Sequence, residues 1–269
     1  MARKWTKQEK EKYTKELKQL YIRENKTIKE IATFLDIAPQ TVFKRLHMCG
    51  IKTIPECKEN YRNIRTDLSI PKHLSNELAE FIGIMLGDGK LSHFQVLVTL
   101  GNKELHYANY VCDLMKGLFL VRPKISTRAT GYHDVYIGSV LLTRWLMSQG
   151  LVTNKVKYQV DIPKWIFSKK EYMEMCLRGF FDTDGSVYKL RHGVQISFTN
   201  YSLPLLISLQ SMLFRLGYSA SRVSSHKVYL TKKDDLERFF REIQPQNSKH
   251  CLRYKKISVG TQVVNEGRL

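Results

Sequence analysis

Acidic residues are what this 269-residue chain is short of: 25 Asp and Glu stand against 44 Lys and Arg, a formal charge of +19. That imbalance favours a polyanionic partner, nucleic acid first and an acidic membrane surface second. Long apolar runs are missing too. No stretch of about 18 apolar residues is available to span a bilayer, and the opening MARKWTKQEKEKYTKELK has none of the apolar core of a secretory signal. Cysteines are few and scattered: Cys49, Cys57, Cys112, Cys176 and Cys251 are odd in number and include no CxxC pair. Structural zinc and a disulfide framework are therefore not expected, and a reducing compartment fits, either a cytoplasm with its nucleoid or an organelle. What remains is 43% hydrophobic content, enough for a proper core.

One kind of segment occurs twice, Phe81 to Gly89 (FIGIMLGDG) and Leu177 to Gly185 (LRGFFDTDG). Each carries small residues four apart, Gly83 with Gly87 and Gly179 with Thr183, and positions four apart share one helical face. Two such faces can approach closely because no side chain holds the backbones apart. A glycine ends each helix, so Asp88 and Asp184 fall at corresponding ends, and parallel packing would bring the carboxylates together. Two acids at one spot suit a hard divalent cation, Mg²⁺ with Ca²⁺ or Mn²⁺ as substitutes, with the carbonyls of Gly87 and Thr183 as further oxygen ligands. Asp182, two residues before Asp184, lies on another face and is a candidate to pair with a base from the final helix.

The regions around the two motifs repeat as well. Asp88 to Asp184 is an offset of 96 residues, HDVYI at His133 and HKVYL at His226 are 93 apart, and Lys155 and Lys249 are 94 apart. A near-constant offset is what duplication with loop changes leaves, too long a period for a solenoid. Each half reads as a motif helix, capped at Ser75 in the first and by a Ser168–Glu171 capping box in the second, then strands, a helix, two strands and a helix. Alternation over His93 to Leu100 puts Phe94, Val96, Val98 and Leu100 on one face; Val194, Ile196 and Phe198 do the same in the second half and leave Gln195, Ser197 and Thr199 on the other. A strand from Arg122 to Arg128 sends Arg122, Lys124, Ser126 and Arg128 to one face, and a partner strand sends Arg222 and Ser224 to the corresponding one. Arg and Gln can read base edges while Lys holds phosphates, so these faces suit double-stranded DNA.

Ahead of the repeat, residues 1–66 carry 16 Lys and Arg against 8 Asp and Glu. Leu17, Leu20 and Tyr21 share a helical face, Thr27 to Glu30 forms a capping box for a second helix, and Pro39 opens a short basic third. This order is that of a helix-turn-helix, with Gln40, Thr41, Lys44 and Arg45 placed for the major groove or its flanking phosphates. Asp36 takes the turn position where glycine is common. The expected division is a helix-turn-helix module at 1–50, a linker at 51–74, halves at 75–165 and 166–258, and a tail at 259–269.

The paired motifs and the lead-in IPKWIFSKKEYMEMCLRG resemble the LAGLIDADG homing endonucleases in their single-chain, two-motif form, over about residues 75–258. The resemblance implies an α+β fold of two pseudo-symmetric αββαββα halves forming a DNA-binding saddle, behind a small all-α helix-turn-helix domain. It also implies a monomeric, metal-dependent endonuclease in which Asp88 and Asp184 each serve one strand. Lys155 and Lys249 are similar to the basic residues the family keeps near its metals, with Lys157 and Lys255 as alternatives. With no intein splice junction visible, a free-standing product of an intron or mobile gene is expected, hence intron homing. Two other functions fit the same residues: a DNA-binding regulator that kept the fold without cleavage, and a maturase bound to intron RNA.

Overall fold

The computed structural model describes residues 6–24, 26–51, 67–191 and 193–266, and the chain divides into two compact units, Met1–Ile64 and Arg65–Leu269. The first holds α1 (Lys7–Lys18), a π-helical turn (Gln19–Arg23), α2 (Ile28–Phe34) and α3 (Pro39–Met48). Its core is Leu17, Leu20, Tyr21, Ile28, Ile31, Ala32, Val42 and Leu46, joined by Ile51. The capping box is formed: the Glu30 amide donates to Thr27 Oγ1 at 3.2 Å, and the Thr27 amide donates to Glu30 Oε2 at 2.8 Å. Asp36 turns the chain between α2 and α3 at φ 50°, a conformation that a short polar side chain tolerates. Most of the expected linker, 52–66, lies outside the described residues.

The second unit has two successive halves with antiparallel sheets. The first runs α4 (Asn76–Leu86), β1 (Gly89–Leu91), β2 (Gln95–Leu100), α5 (Leu105–Phe119), β3 (Lys124–Thr127), β4 (His133–Gly138) and α6 (Val140–Ser148), with strand order β1-β2-β4-β3. After a 3₁₀ turn at Lys164–Ser168, the second runs α7 (Lys170–Asp184), β5 (Gly185–Leu190), β6 (Gly193–Thr199), α8 (Leu203–Arg215), β7 (Lys227–Leu230), α9 (Lys233–Glu242) and α10 (Ser248–Glu266), with order β5-β6-β7. One apolar core runs through both halves, from Leu68 to Ile243. Leu68 and Ile70, on the stretch read as linker, belong to it, and the Ser69 amide donates to the Phe119 carbonyl at 3.0 Å.

Several local expectations are corrected. Phe94 is 63% exposed and stands before β2, because the β1–β2 turn closes with the Ser92 amide on the Gln95 carbonyl. The strand expected from Arg122 to Arg128 shrinks to the four residues of β3, exposed on both faces at the sheet edge. In the second half no strand forms around Arg222; Ser224 makes one isolated bridge to Lys227 across a turn in which Ser225 and His226 have positive φ. The Ser168–Glu171 capping box is absent. Ser168 Oγ donates back to the Trp165 carbonyl at 2.6 Å, which leaves Lys169 at the start of α7 without a side-chain cap. α10 runs on past 258, where a tail was expected.

Everything converges on α4 and α7. A Cβ built at Gly83 would meet the Cys176 carbonyl and the Phe180 nitrogen, one at Gly87 would meet Thr183, and one at Gly179 would meet the Glu80 carbonyl and the Ile84 nitrogen. Later residues of one helix meet later residues of the other, so the pair is parallel. Across the seam Arg178 Nε donates to the buried Glu80 carboxylate at 3.0 Å, and the Tyr110 hydroxyl donates to the same oxygen at 2.6 Å. A buried charge is tolerated there because it is paired and hydrogen-bonded.

Gly179→Ala places a methyl against backbone that has no side chain to yield. It is expected to cost about 1–3 kcal/mol or more, measured as a lowered midpoint of thermal unfolding.

Candidate active site

Two carboxylates occupy the common end of the parallel helices. Asp88 follows the last turn of α4 and Asp184 ends α7. A Cβ at Gly87 would lie 3.4 Å from Asp184 Cγ, so the α4 terminus leaves its space to that acid. Burial pushes Asp88 above the usual carboxylate range, with the Glu104 charge adding to the rise and Lys249 and Lys155 opposing it. Burial and then the Asp88 charge push Asp184 up to about 7 against Lys155, Asn200 and Lys249. Like charges forced together in a desolvated spot are a site lacking positive charge.

The two lysines reach this spot differently. Lys155 Nζ donates to the Met85 and Leu86 carbonyls at 3.3 and 3.2 Å and to the Gly87 carbonyl, capping the negative end of α4. Burial lowers its pKa, opposed by Asp184 and Asp88. Lys249 instead forms an ion pair with Glu104, Nζ to Oε1 at 2.6 Å.

Sequence reasoning missed Glu104, Asn200 and Asn247. Asn200 Nδ2 donates to Asp184 Oδ2 at 3.0 Å, and Asn247 Nδ2 donates to Glu104 Oε1 at 2.6 Å. None was visible through the repeat, because duplication flags only what both halves keep: in the strand register Leu100 stands where Asn200 does. Asp182 is corrected as well. Its carboxylate accepts the backbone amides of Gln246 and Asn247 at 2.9 and 3.1 Å, and the base expected from the final helix, His250, faces only its backbone carbonyl at 3.3 Å. The preceding turn offers two free amides that no side chain has to reach for. Burial raises Asp182 to about 7 and lowers His250 to about 4, so the ring is neutral and its Nε2–H is the donor.

A divalent cation fits this donor set. Asp88 and Asp184 would hold it, together with backbone oxygens, and all are hard ligands of the kind Mg²⁺, Mn²⁺ and Ca²⁺ take. Among the described residues no cluster of three or more His, Cys, Asp or Glu converges, so any further protein ligands would come from the backbone. The Thr183 hydroxyl is not free for the role, since it donates to the Gly179 and Phe180 carbonyls. The Gly87 carbonyl already accepts from Lys155.

Of the residues expected on DNA, Arg122, Lys124 and Ser126 are exposed around β3, and Arg222 and Ser224 are exposed on a loop. Arg128 is clasped by Asp134, Nε to Oδ2 at 2.7 Å and Nη2 to Oδ1 at 2.9 Å, with Thr99 donating to the same acid at 2.8 Å. Gln195 and Thr199 are half-buried on β6. Ser197 is fully buried, which corrects its placement at a surface: β6 is the central strand and Ser186 and Tyr229 flank it in register. In the first unit Gln40 and Lys44 are exposed, Thr41 is half-buried, and Arg45 lies over the Tyr13 ring at 5.0 Å. No described helix is long and apolar enough to cross a membrane.

Residues 171–244 match the model of the LAGLIDADG-like domain. A search of curated proteins finds no match. Similar solved structures include the N-terminal LAGLIDADG domain of DUF199/WhiA, at 16% identity and TM-score 0.47, covering 70% of this chain and 96% of that one. Full-length DUF199/WhiA from Thermatoga maritima gives 17% identity and TM-score 0.48, covering 75% of this chain and 64% of that one. I-DmoI in complex with DNA and Ca gives 17% identity and TM-score 0.43, covering 62% and 88%.

A buried acid whose folded pKa is raised binds its proton more tightly folded than unfolded, so stability falls as pH rises from the unfolded value towards the folded one. The metal-free protein is therefore expected to lose thermal stability between about pH 4 and 7, and Asp184→Asn to flatten that decline. Melting temperatures across the interval check it.

Proposed function

We propose that this chain, which carries a LAGLIDADG-like domain over residues 171–244, is a divalent-metal-dependent, site-specific DNA endonuclease. The observation that carries the proposal is the meeting of Asp88 and Asp184 at one end of a parallel helix pair, with two lysines beside them. Phosphodiester hydrolysis needs a positioned water, neutralisation of developing charge and relief for the leaving oxygen. A bound Mg²⁺ or Mn²⁺ supplies Lewis acidity for these at an oxygen-rich site.

The residues of the chain do the rest. Asp88 and Asp184 fix the position of the cation, one on each side of an approximate two-fold axis, which matches the antiparallel strands of a duplex. Lys155, held by three carbonyls, keeps a positive charge beside both acids and can stabilise charge on a phosphate oxygen. Lys124, Arg122 and Arg222 are exposed bases suited to phosphates. Arg128, oriented by Asp134, presents a fixed guanidinium for a base edge. The helix-turn-helix unit adds Gln40 and Lys44 as contacts beyond the sheets.

Binding selection from randomised duplex DNA, followed by incubation with Mg²⁺ or Mn²⁺, tests this function. Asp88→Asn and Asp184→Asn are each expected to abolish cleavage of the selected duplex while leaving affinity within a few-fold. Tight binding without cleavage by the unaltered protein would show a regulator on this scaffold instead, and preference for structured RNA over duplex would show a maturase. Deleting residues 1–66 is expected to weaken binding and shallow its salt dependence, since fewer counterions are released. An unchanged slope of affinity against salt would remove the first unit from the interface.

A further inference from the structure

The two halves carry one lysine each at matching positions, and the structure treats them unequally. Lys155 has no acid as a hydrogen-bond partner; it sits on the carbonyls at the end of its own motif helix. Lys249 is fixed from three directions. Asp182 accepts the Gln246 and Asn247 amides and so pins the turn ahead of it, Asn247 reaches over to Glu104, and Glu104 takes the ammonium. Glu104 is itself built in: its Oε2 accepts the Gly101 amide at 2.5 Å, and the side chain is mostly buried. The first motif has Leu86 where the second has Asp182, so the anchor that starts this chain of contacts exists on one side only.

We propose that Glu104 is a positioning residue that holds Lys249 in reserve, making the two cutting centres unequal, so that the protein nicks one strand of its target before it cuts the other. This rests on the endonuclease function above. The Lys155 side is ready to receive a phosphate. On the Lys249 side the phosphate must first draw the ammonium from a carboxylate, so hydrolysis of that strand follows more slowly. No covalent intermediate with the protein is involved: in each strand water adds to phosphorus, the bond to the leaving oxygen breaks, and that oxygen departs with a proton.

The test uses the full chain and a supercoiled plasmid carrying the selected target, with Mg²⁺. Nicked circle is expected to accumulate, the second cut being at least about five-fold slower than the first, a difference of the size one exposed ion pair can make. Glu104→Gln removes the competing charge and is expected to shorten the life of the nicked circle several-fold, while Glu104→Asp keeps the wild-type pattern. Independently of cleavage, acylation of Lys249 by an amine-selective reagent, followed by mass spectrometry, is expected to be slower in the wild type than in Glu104→Gln. Linear product appearing with no nicked intermediate in the wild type overturns this inference and leaves the nuclease function standing. A longer-lived nick in Glu104→Gln, or equal acylation of Lys249 in the two proteins, also overturns it. Uncut plasmid with binding intact overturns both.

Discussion

Two helix backbones without side chains between them are the constraint from which the second unit follows. At Gly83, Gly87 and Gly179 even a methyl group would strike the opposing backbone or the Thr183 side chain. Close approach is what lets the acids at the helix ends share one volume. It also sets the direction of packing, since a parallel pair brings two equivalent ends together and an antiparallel pair would separate them. The Glu80–Arg178 pair with Tyr110 lies further back along the seam, and a buried ion pair of this kind fixes register more than it adds stability.

Proximity has an electrostatic cost, and the surroundings are arranged to meet it. Asp184 is raised to about 7 by burial and by Asp88, while Lys155, Lys249 and Asn200 work in the other direction. A site that concentrates negative charge where water is scarce is poised for a cation. The same low dielectric strengthens whatever charge the lysines bring to a bound phosphate. Stability and chemistry are therefore opposed here, as they commonly are where acids are gathered for function.

Pseudo-symmetry is kept where the duplex demands it and dropped at the surrounding supports. Motif helices, glycine contacts and the placement of the two lysines repeat. The contacts that hold each lysine do not, nor does the outer strand of the sheet, present as β3 in the first half and reduced to a single bridge in the second. Arg128 and Asp134 clasp each other in the first sheet, and Lys227 takes the place of Asp134 in the second. Two sheet faces with different charges suit a target whose half-sites differ.

Local chemistry was legible without coordinates: helix periodicity, the Thr27–Glu30 cap, the doubled Gly-and-Asp motif, and a duplication visible as near-constant spacing. These depend on residues close in the chain or on similarity within it. Edge strands were overextended, because alternation of Arg and Ser from Arg122 to Arg128 reads the same whether or not a neighbouring strand is there to pair. Ser197 looked like a surface residue for the same reason, since a strand pattern shows which face a residue is on but not how tall its cross-strand neighbours are. Glu104 was out of reach as anything but a helix cap. Its partners Asn247 and Lys249 come from more than 140 residues away, and only the tertiary fold, which folds the turn before α10 back onto the start of α5, decides that the acid meets them.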